Sequence, residues 1–371
     1  MATLNRDDIR MVMVGATFLG GGGGGPLDVG MQIIDKALGN DYSVELKDLT
    51  SANSNDYGAM VASLGSPEKI KKNGNFGPDG VAAYEAFQTA MKLEGKEVVY
   101  MYSGEMGGFN TMVPILVAIL AGKNGTPITL LDVDANGRAV PELNTSLNAA
   151  RGFPPKPIGL GSLSRTKCMV YSESDEESEQ ICRALCQLYN SQIGFSTWAM
   201  SCSELMDNAV VGCVSKAQAI GVALEKAKRE HLEPIDCLTP IMPCRLLTHG
   251  QIIDKKVEVV AGFDVGKTII EDAKTGEQFT IYFQNENLYV TNGNGDVVIT
   301  VPELTSLVCR DPDGCQYSGE PMDNATTKIG MMVDVILSPA DAKWWAEDKK
   351  AYTCWYEALK RAGYSGELVR F

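Results

Sequence analysis

Short apolar runs alternate with amphipathic segments of helical period along the first 165 residues. Runs typical of strands occupy residues 42–49, 57–64, 97–102 and 127–131. Apolar residues at helical spacing predict helices over residues 5–15, 26–39, 79–95 and 111–120. Strands that alternate with helices pair in parallel through right-handed crossovers. We therefore expect an N-terminal α/β domain with a largely parallel sheet over residues 1–165.

The pattern changes in the second half, which we expect to form another domain over residues 166–371. Its beginning is helical, with a capped helix that starts near Ser174 and a second helix over residues 216–230. Short β-rich runs separated by glycine-containing turns then fill roughly residues 240–340. This pattern predicts a C-terminal β-rich barrel or sandwich with flanking helices.

Charge and composition exclude several kinds of partner. The 371 residues carry a formal net charge of −14, which would repel nucleic acid and anionic membrane surfaces. No apolar run approaches the 18 residues of a membrane span, and the N-terminal segment does not follow the pattern of a signal peptide. Ten cysteines without a Cys-x-x-Cys pair are typical of free thiols. We expect a cytoplasmic protein that binds neither nucleic acid nor membranes.

The chain has two histidines, which limits its chemistry. A zinc site of three histidines is excluded, and acid–base catalysis must fall mostly to other side chains such as carboxylates. His231 lies at a predicted helix end. His249 lies in a loop before a strand, and its part in a site stays open.

Acidic residues follow two neighbouring predicted strands. Glu105 comes after one strand, and Asp132 and Asp134 come after the next, with a helix between them. A strand–helix–strand unit of this length makes the strands parallel, so both loops leave the carboxyl edge of the sheet. Ligands bind at that edge in open α/β sheets. We therefore expect the three acids to lie close together.

The neighbouring residues suit a binding site. Gly107 and Gly108 allow close approach of the backbone, and Asn110 offers both a donor and an acceptor. Arg138 offers a planar fork for a carboxylate or an oxyanion, and Glu142 begins a predicted helix. The predicted catalytic residues are Glu105, Asp134, Arg138 and Glu142. In the alternative interpretation, Asp132, Asp134 and Glu142 only cap loops and pair with Arg138.

A run of glycines at residues 20–25 precedes Pro26 and the second predicted helix. The run lacks the Gly-Lys-Ser/Thr of a phosphate-binding loop and follows a helix instead of a strand, so we expect no nucleotide. Its backbone could instead face a substrate. The predicted substrate-binding residues are Gly21, Gly22, Gly23, Gly107, Gly108 and Asn110. A purely tight turn is the alternative.

Asp132 and Asp134 are the predicted metal ligands. Carboxylates this close repel one another unless a proton, a cation or Arg138 offsets their charge. Oxygen ligands suit Mg²⁺, Mn²⁺ or Ca²⁺, and Zn²⁺ with His249 is a further alternative. A divalent metal of unfixed identity is therefore one of three ways to offset these charges, beside a proton and Arg138.

Several motifs occur together in an order that resembles a known family. They are residues 19–24 (LGGGGG), 64–68 (LGSPE), 105–110 (EMGGFN), 132–142 (DVDANGRAVPE), 262–263 (GF), 283–288 (FQNENL) and 301–304 (VPEL). The chain resembles the S-methyl-thiohydantoin desulfurase family over nearly its whole length. It departs from the family pattern at Gly20–Gly21, which the family usually separates by threonine, and at Ala135, Asn136 and Val140.

The resemblance implies an α/β N-terminal domain and a β-rich C-terminal domain. It also implies hydrolysis of an S-methyl-thiohydantoin to a hydantoin and methanethiol, with a small cyclic amide or thiohydantoin as substrate. Two hypotheses agree with the resemblance: a hydrolase of a C–S or C–N bond, and a non-catalytic subunit of a hydantoinase/oxoprolinase-type complex. A third, a nucleotide-binding protein, depends on the glycine run at residues 20–25 alone. We expect the hydrolase, as a homo-oligomer.

Overall fold

The computed structural model of the protein describes residues 1–65, 72–125, 127–260, 263–311 and 318–371. Helices span Arg6–Leu19, Leu27–Leu38, Pro78–Leu93, Met112–Lys123, Leu147–Ala150, Asp175–Leu188, Cys202–Asn208, Cys213–Glu230, Pro234–Leu238 and Trp355–Arg361. Shorter 3-10 turns span Leu49–Ser51, Leu143–Thr145, Ala342–Trp345 and Ala351–Cys354. The motif residues 66–68 and 262 lie outside the described residues.

Two sheets organise the chain. The first contains β1 (Ala2–Asn5), β2 (Ser43–Lys47), β3 (Tyr57–Gly65), β4 (Val98–Ser103), β5 (Thr129–Asp134), β6 (Ile158–Gly161), β7 (Lys167–Val170), β8 (Gln192–Ser201) and β9 (Val210–Val211). The second contains β10 (Arg245–Val260), β11 (Phe263–Asp272), β12 (Gln278–Gln284), β13 (Glu286–Thr291), β14 (Val297–Thr300), β15 (Leu304–Cys309), β16 (Pro321–Met322) and β17 (Met332–Ser338).

The first sheet is mixed, with a parallel centre. Its strand order is β1-β2-β5-β4-β3-β8-β6-β7, and β9 pairs with β5. The neighbours β2, β5, β4 and β3 pair in parallel, whereas β1 and the strands from β6 onward pair antiparallel. Helices connect β3 to β4 and β4 to β5, as the alternating pattern predicts, whereas β2 leads to β3 through the 3-10 turn Leu49–Ser51. The carboxyl ends of β4 and β5 therefore meet at one edge.

Alternation along the central strands gives this sheet two buried faces. In β5, Leu130 packs into one hydrophobic core and Leu131 into another, because successive side chains of a strand point to opposite faces. Met101 and Tyr102 divide in the same way in β4. The first core continues into the second sheet through residues such as Leu304. The two halves of the chain are thus packed together.

Helix packing against this core depends on two glycines. A Cβ atom on Gly15 would lie 1.7 Å from the carbonyl oxygen of Ala217, and one on Gly221 would lie 2.0 Å from that of Met11. The helix Arg6–Leu19 can therefore approach the helix Cys213–Glu230 until their backbones touch. Gly15, predicted to end the first helix, lies within it, and the helix continues to Leu19.

The second sheet is antiparallel throughout, in the order β14-β13-β12-β11-β10-β17-β15-β16. Together the sheets confirm the predicted class: an N-terminal α/β sheet with parallel strands and a C-terminal β-rich part with helices. The first sheet takes strands from both sides of residue 165, up to Val211. In the described part of the chain, no helix combines the length and the apolar character needed to cross a membrane.

Candidate active site

The carboxyl edge of β4 and β5 carries Glu105 on a turn directly after β4. Ser103 and Asp134 are register partners at the ends of these strands, and the amide of Ala135 donates to the carbonyl of Ser103 at 2.9 Å. The turn that follows β4 is thus held against the end of β5. The predicted placement of Glu105 and Asp134 at one sheet edge is what the structure has.

The Glu105 carboxyl group is half-buried and bound by two donors. Asn110 Nδ2 donates to Oε1 at 2.5 Å, and the amide of Val140 donates to Oε2 at 2.9 Å. Burial raises the pKa of Glu105 to about 7, while these two hydrogen bonds and the charge of Arg138 oppose the rise. A carboxyl group with this pKa can both accept and return a proton near neutral pH.

Glu105 lines a cleft of about 90 Å³ whose walls are mainly apolar. The residues that line this cleft are Met60, Ala62, Ser63, Leu64, Gly104, Glu105, Asn110, Asn136, Val140, Pro141, Glu142, Leu143, Ser146, Glu179, Cys182, Arg183, Phe195 and Trp198. They come from the strands β3 and β8, the turn after β4, the loop after β5 and the helix Asp175–Leu188. A few polar groups in a mainly apolar cleft are typical of a small-molecule site.

Ser63 is a polar residue of this cleft that the sequence analysis did not single out. Its amide donates to Asn110 Oδ1 at 3.3 Å, while its buried Oγ has no hydrogen-bond partner within the described residues. A buried hydroxyl without a partner is costly, and a bound ligand could supply the partner. No local sequence signal marks Ser63, because it lies within an ordinary strand.

Glu142 also lines the cleft but is held by other side chains. Its Oε1 accepts from Gln284 Nε2 at 2.9 Å and from Arg361 Nη2 at 2.6 Å. Its backbone starts the 3-10 turn Leu143–Thr145 instead of the predicted helix. Glu142 therefore ties the cleft to the second sheet and to the C-terminal helix. Its catalytic part stays a prediction.

Asp134 lies behind the cleft and not in its lining. Its Oδ1 accepts from the amides of Asn136 and Gly137, at 2.8 and 2.5 Å, and the side chain is fully buried beside Ser103. Burial raises the pKa of Asp134 to about 7, against the two amide hydrogen bonds. The carboxyl group organises the loop that carries Val140. Its direct part in catalysis stays a prediction.

Asp132 binds the start of the helix Cys213–Glu230. Its Oδ1 accepts from the amides of Val214 and Ser215 at 2.8 and 3.0 Å, and its Oδ2 accepts from Ser215 Oγ at 2.5 Å. Amide groups at a helix start have no partner within the helix, and a carboxylate satisfies them and suits the helix dipole. Asp132 thus caps a helix, in line with the loop-capping alternative.

We expect Asp132→Ala to reduce stability more than turnover. The loss should be about 1–2 kcal/mol in the free energy of unfolding, as for other helix caps, measured by urea denaturation. Ser215→Ala is the matched control, because it removes one contact and leaves both amide contacts. A folded Asp132→Ala protein with unchanged stability and a hundredfold loss of turnover would contradict this assignment.

Arg138 is buried and directed into the second half of the chain. Its Nη1 donates to the carbonyl oxygens of Pro302 and Glu303, at 2.6 and 3.0 Å, and its Nε donates to the carbonyl of Ala139. The guanidinium also lies over the ring of Trp355. Burial lowers the pKa of Arg138 to about 10, and nearby carboxylates oppose the change. Because Arg138 does not line the cleft, its geometry gives no support to a direct contact with substrate.

The glycine run is packed between the turn after β4 and the second sheet. The carbonyls of Gly21 and Gly22 accept from the amides of Asn287 and Asn324, both at 2.8 Å. The carbonyl of Gly24 accepts from the amides of residues 109 and 110. These contacts leave Gly21, Gly22 and Gly23 buried and outside the cleft lining, so the geometry favours the tight-turn alternative over a substrate-facing loop.

Gly107 and Gly108 make a second close approach. A Cβ atom on Gly107 would lie 2.2 Å from Gly24 Cα, and one on Gly108 would lie 2.6 Å from the amide nitrogen of Leu27. These glycines allow the turn after β4 to sit directly on the glycine run. Asn110, at the end of that turn, is the predicted substrate-binding residue that does reach the cleft.

Glu286 is a buried acid beside this site whose importance the sequence analysis missed. Its Oε1 would lie 2.1 Å from a Cβ atom on Gly23, so the absence of a side chain there makes room for the carboxyl group. Burial and the charge of Glu105 raise its pKa well above the ordinary value. Glu286 lies in the motif at residues 283–288, but nothing in that motif places it near Glu105.

The residues predicted to hold a metal do not fit one. Both oxygens of Asp132 are bound to the start of a helix, and within residues 1–65, 72–125, 127–260, 263–311 and 318–371 no three His, Cys, Asp or Glu side chains are grouped to bind a cation. His249 lies in the second sheet, where its Nδ1 is 2.7 Å from Asp334 Oδ1. Asp132 and Asp134 therefore bind backbone amides instead of a cation.

The fold and the half-buried acid in its cleft define a two-sheet α/β protein with a candidate acid–base site. The S-Me-THD-like N-terminal domain model matches residues 7–172, and the S-Me-THD-like C-terminal domain model matches residues 173–354. The chain belongs to this family, whose name implies S-methyl-thiohydantoin desulfurase-like activity. The search of curated proteins gave no match.

A solved structure shares the fold over its full length. It is the crystal structure of a protein from Chromobacterium violaceum, which is 24% identical, has a TM-score of 0.83 and aligns over 100% of both chains. At this identity the likeness concerns the fold.

Proposed function

We propose that the protein is a hydrolase that removes methanethiol from a small S-methylated thiohydantoin-like ring, with Glu105 as its acid–base group. The observation that carries this proposal is the half-buried carboxyl of Glu105, with a pKa of about 7, in a mainly apolar cleft. The family name supports the same reaction. A ring of this kind offers N–H groups to carboxylates and a methylthio group to apolar walls.

The chemistry of this cleft follows from its polar groups. The ionised Glu105 takes a proton from water while the water oxygen bonds to the ring carbon that carries sulfur, and the π electron pair of that carbon's C=N bond moves to the ring nitrogen. The nitrogen pair then re-forms the C=N bond as the C–S bond breaks with its electron pair on sulfur, and Glu105 gives the proton to the leaving methanethiolate. The proton of the new hydroxyl group moves to the ring nitrogen, which gives the hydantoin. Asn110 and Val140 hold the carboxyl group, while Ser63 Oγ can donate to the ring atom on which negative charge develops.

Methanethiol release tests the proposal directly. The purified protein is incubated with the S-methyl derivative of 2-thiohydantoin, and free thiol is measured with a chromogenic thiol reagent against a heat-denatured control. We expect saturable release of one thiol per ring, with hydantoin as the second product. Binding of the ring without release of thiol would contradict the proposal.

The pKa of Glu105 predicts opposite effects of pH on turnover and on stability. Turnover should rise with pH through about 7, as the base ionises.

The free energy of unfolding should change in the opposite direction and fall as the pH rises. The folded-state pKa values of Glu105 and Asp134, both about 7, lie above their ordinary values of 4.5 and 3.8, so folding favours the protonated forms. The contribution of the two acids to the free energy of unfolding is complete below about pH 4 and is lost as the pH rises through 7.

Urea denaturation between pH 5 and 8 measures this second effect. Asp134→Asn should flatten the decline of the unfolding free energy, because an amide does not titrate. Glu94→Gln, on the surface, is the control and should leave the slope unchanged. A wild-type stability that rises steadily from pH 5 to 8 would show that these acids do not dominate its pH dependence.

A non-catalytic subunit of a hydantoinase/oxoprolinase-type complex is the second candidate. The observation that favours it is the apolar end of β10, where Val257, Val259 and Val260 are 47%, 74% and 51% exposed. Exposed apolar residues at one place are typical of contact surfaces. A non-catalytic subunit should release no thiol. Its association with a second copy or with a partner protein should weaken in Val259→Lys.

A further inference from the structure

Trp198 occupies an irregular position in β8, next to the cleft. Gly58 pairs with Met200 and Met60 pairs with Thr197, so Trp198 and Ala199 together oppose one residue of β3. This arrangement is a β-bulge, and its first residue, Trp198, has a φ angle of +47°. Bulky residues rarely adopt a positive φ. The backbone at Trp198 is therefore strained.

Two hydrogen bonds hold Trp198 in this conformation. Tyr102 Oη donates to the carbonyl oxygen of Trp198 at 2.7 Å, and Trp198 Nε1 donates to the carbonyl of Phe153 at 2.9 Å. The first bond fixes the bulged backbone from β4, and the second fixes the indole ring. Trp198 is 4% exposed as a residue, and it lines the same cleft as Glu105.

Filling the core does not require this strain. Phe195 and Met200 of the same strand pack into the same core at ordinary positions. A β-bulge changes the direction of a side chain, and strained residues of this kind cluster where a side chain must meet a ligand. The bulge at Trp198 thus directs a rigid, flat side chain to the wall of a cleft that also holds an acid.

We propose that Trp198 is a specificity-determining residue that binds the flat face of a planar five-membered heterocycle. This inference rests on the proposed function and deepens it, because it names the property of the substrate that the cleft selects. Aromatic rings stack favourably on planar conjugated groups, and sulfur atoms make favourable contacts with them. A planar ring on Trp198 keeps its N–H edge for Glu105 and its methylthio group for the apolar walls.

Hydantoin is a suitable probe, because it is the planar product of the proposed reaction and needs no turnover. Its binding is measured by isothermal titration calorimetry and by tryptophan fluorescence, using the full-length protein. We expect saturable binding and a fluorescence change in the wild type. Trp198→Leu, which keeps apolar volume but lacks the ring, should weaken binding at least tenfold. Trp198→Phe, which keeps a smaller ring, should weaken it less and abolish the fluorescence change.

Trp345→Phe is the matched control. Trp345 stacks on Tyr352 and lies outside the cleft lining, so this variant should bind hydantoin as the wild type does and keep the fluorescence change. The melting temperature of each variant shows whether it is folded. If Trp198→Leu does not fold, Trp198→Phe still tests the inference, because this variant should lose the fluorescence change on binding of hydantoin.

Three results would overturn the inference: no binding of hydantoin by the wild type, equal affinity in a folded Trp198→Leu protein, or a fluorescence change that persists in Trp198→Phe. The proposed function fails differently. Binding that depends on Trp198, without release of methanethiol from the S-methylated ring, would leave the ring-binding site in place and remove the hydrolase reaction.

Discussion

Glu105→Gln should lower the release of methanethiol by about 10²–10⁴-fold, because glutamine keeps the size of the side chain but cannot take a proton from water. Asn110 Nδ2 and the amide of Val140 both donate to the Glu105 carboxyl group. An amide can accept only one of these bonds well, so the variant also tests whether the side chain must stay in place. Initial rates over a range of substrate concentrations separate kcat from KM.

Glu85→Gln serves as the control for loss of a carboxylate. Glu85 pairs with Lys167 and Arg165 and does not line the cleft, so its rate should equal that of the wild type. The melting temperature of Glu105→Gln shows that the variant is folded, and the weakened hydrogen bond should lower it by roughly a few degrees. A folded Glu105→Gln protein with wild-type kcat would show that Glu105 takes no part in the mechanism.

Gly24→Ala should produce the largest loss of stability among single substitutions of the glycine run. A Cβ atom there would lie 2.4 Å from Gly107 Cα and 2.4 Å from the carbonyl oxygen of Met106, and the φ angle of Gly24 is +72°. Backbone atoms cannot move aside as the end of a flexible side chain can. We expect a loss of about 3 kcal/mol or more, or failure to fold, measured by urea denaturation.

Gly95→Ala separates the two causes of this loss. Gly95 has a φ angle of +74°, but a Cβ atom there would meet nothing within 4 Å. Gly95→Ala therefore has only the backbone cost of a positive φ angle, and we expect it to lower the free energy of unfolding by about 1–2 kcal/mol. Equal losses in Gly24→Ala and Gly95→Ala would show that the close contact of the glycine run with Gly107 contributes little to stability.

The sequence predicted the parallel centre of the first sheet well, because alternation of strands and helices leaves few ways to connect them. It predicted the end of the first helix wrongly at Gly15. Glycine is typical of helix ends, but here it permits contact with Ala217, more than 200 residues away. A contact between distant residues leaves no trace in the local pattern.

The strand β8 was also missed, since the region after residue 166 was expected to begin with helices. Its polar residues are buried instead of alternating outward. Ser196 Oγ donates to the carbonyl of Met60, and Thr197 Oγ1 donates to that of Pro155. A strand is usually recognised by apolar and polar residues that alternate along it. Here the polar residues are buried and bound to backbone carbonyls, so this alternation is missing. The bulge at Trp198 depends on this same strand and could not be predicted.

The candidate site was predictable to the extent that it depends on the order of strands. Parallel pairing of β4 and β5 was enough to place Glu105 and Asp134 at one edge. The same reasoning could not tell which acids face a cleft and which bind backbone amides, as Asp132 does with the helix Cys213–Glu230. Ser63 and Glu286 were missed because they reach the site from β3 and from the second sheet.

The contact of Arg138 with Pro302 and Glu303 has a consequence for the synthesis of the chain on the ribosome. The carbonyl groups that accept hydrogen bonds from this guanidinium belong to residues that are synthesised 164 and 165 positions after Arg138. The strands β2 to β5 can therefore leave the ribosome and pair while Arg138 still lacks these acceptors. Glu286, the buried acid whose charge interacts with Glu105, also arrives only with the second sheet. The strands of the first sheet can thus pair before Arg138 gains these acceptors and before Glu105 gains its acidic neighbour.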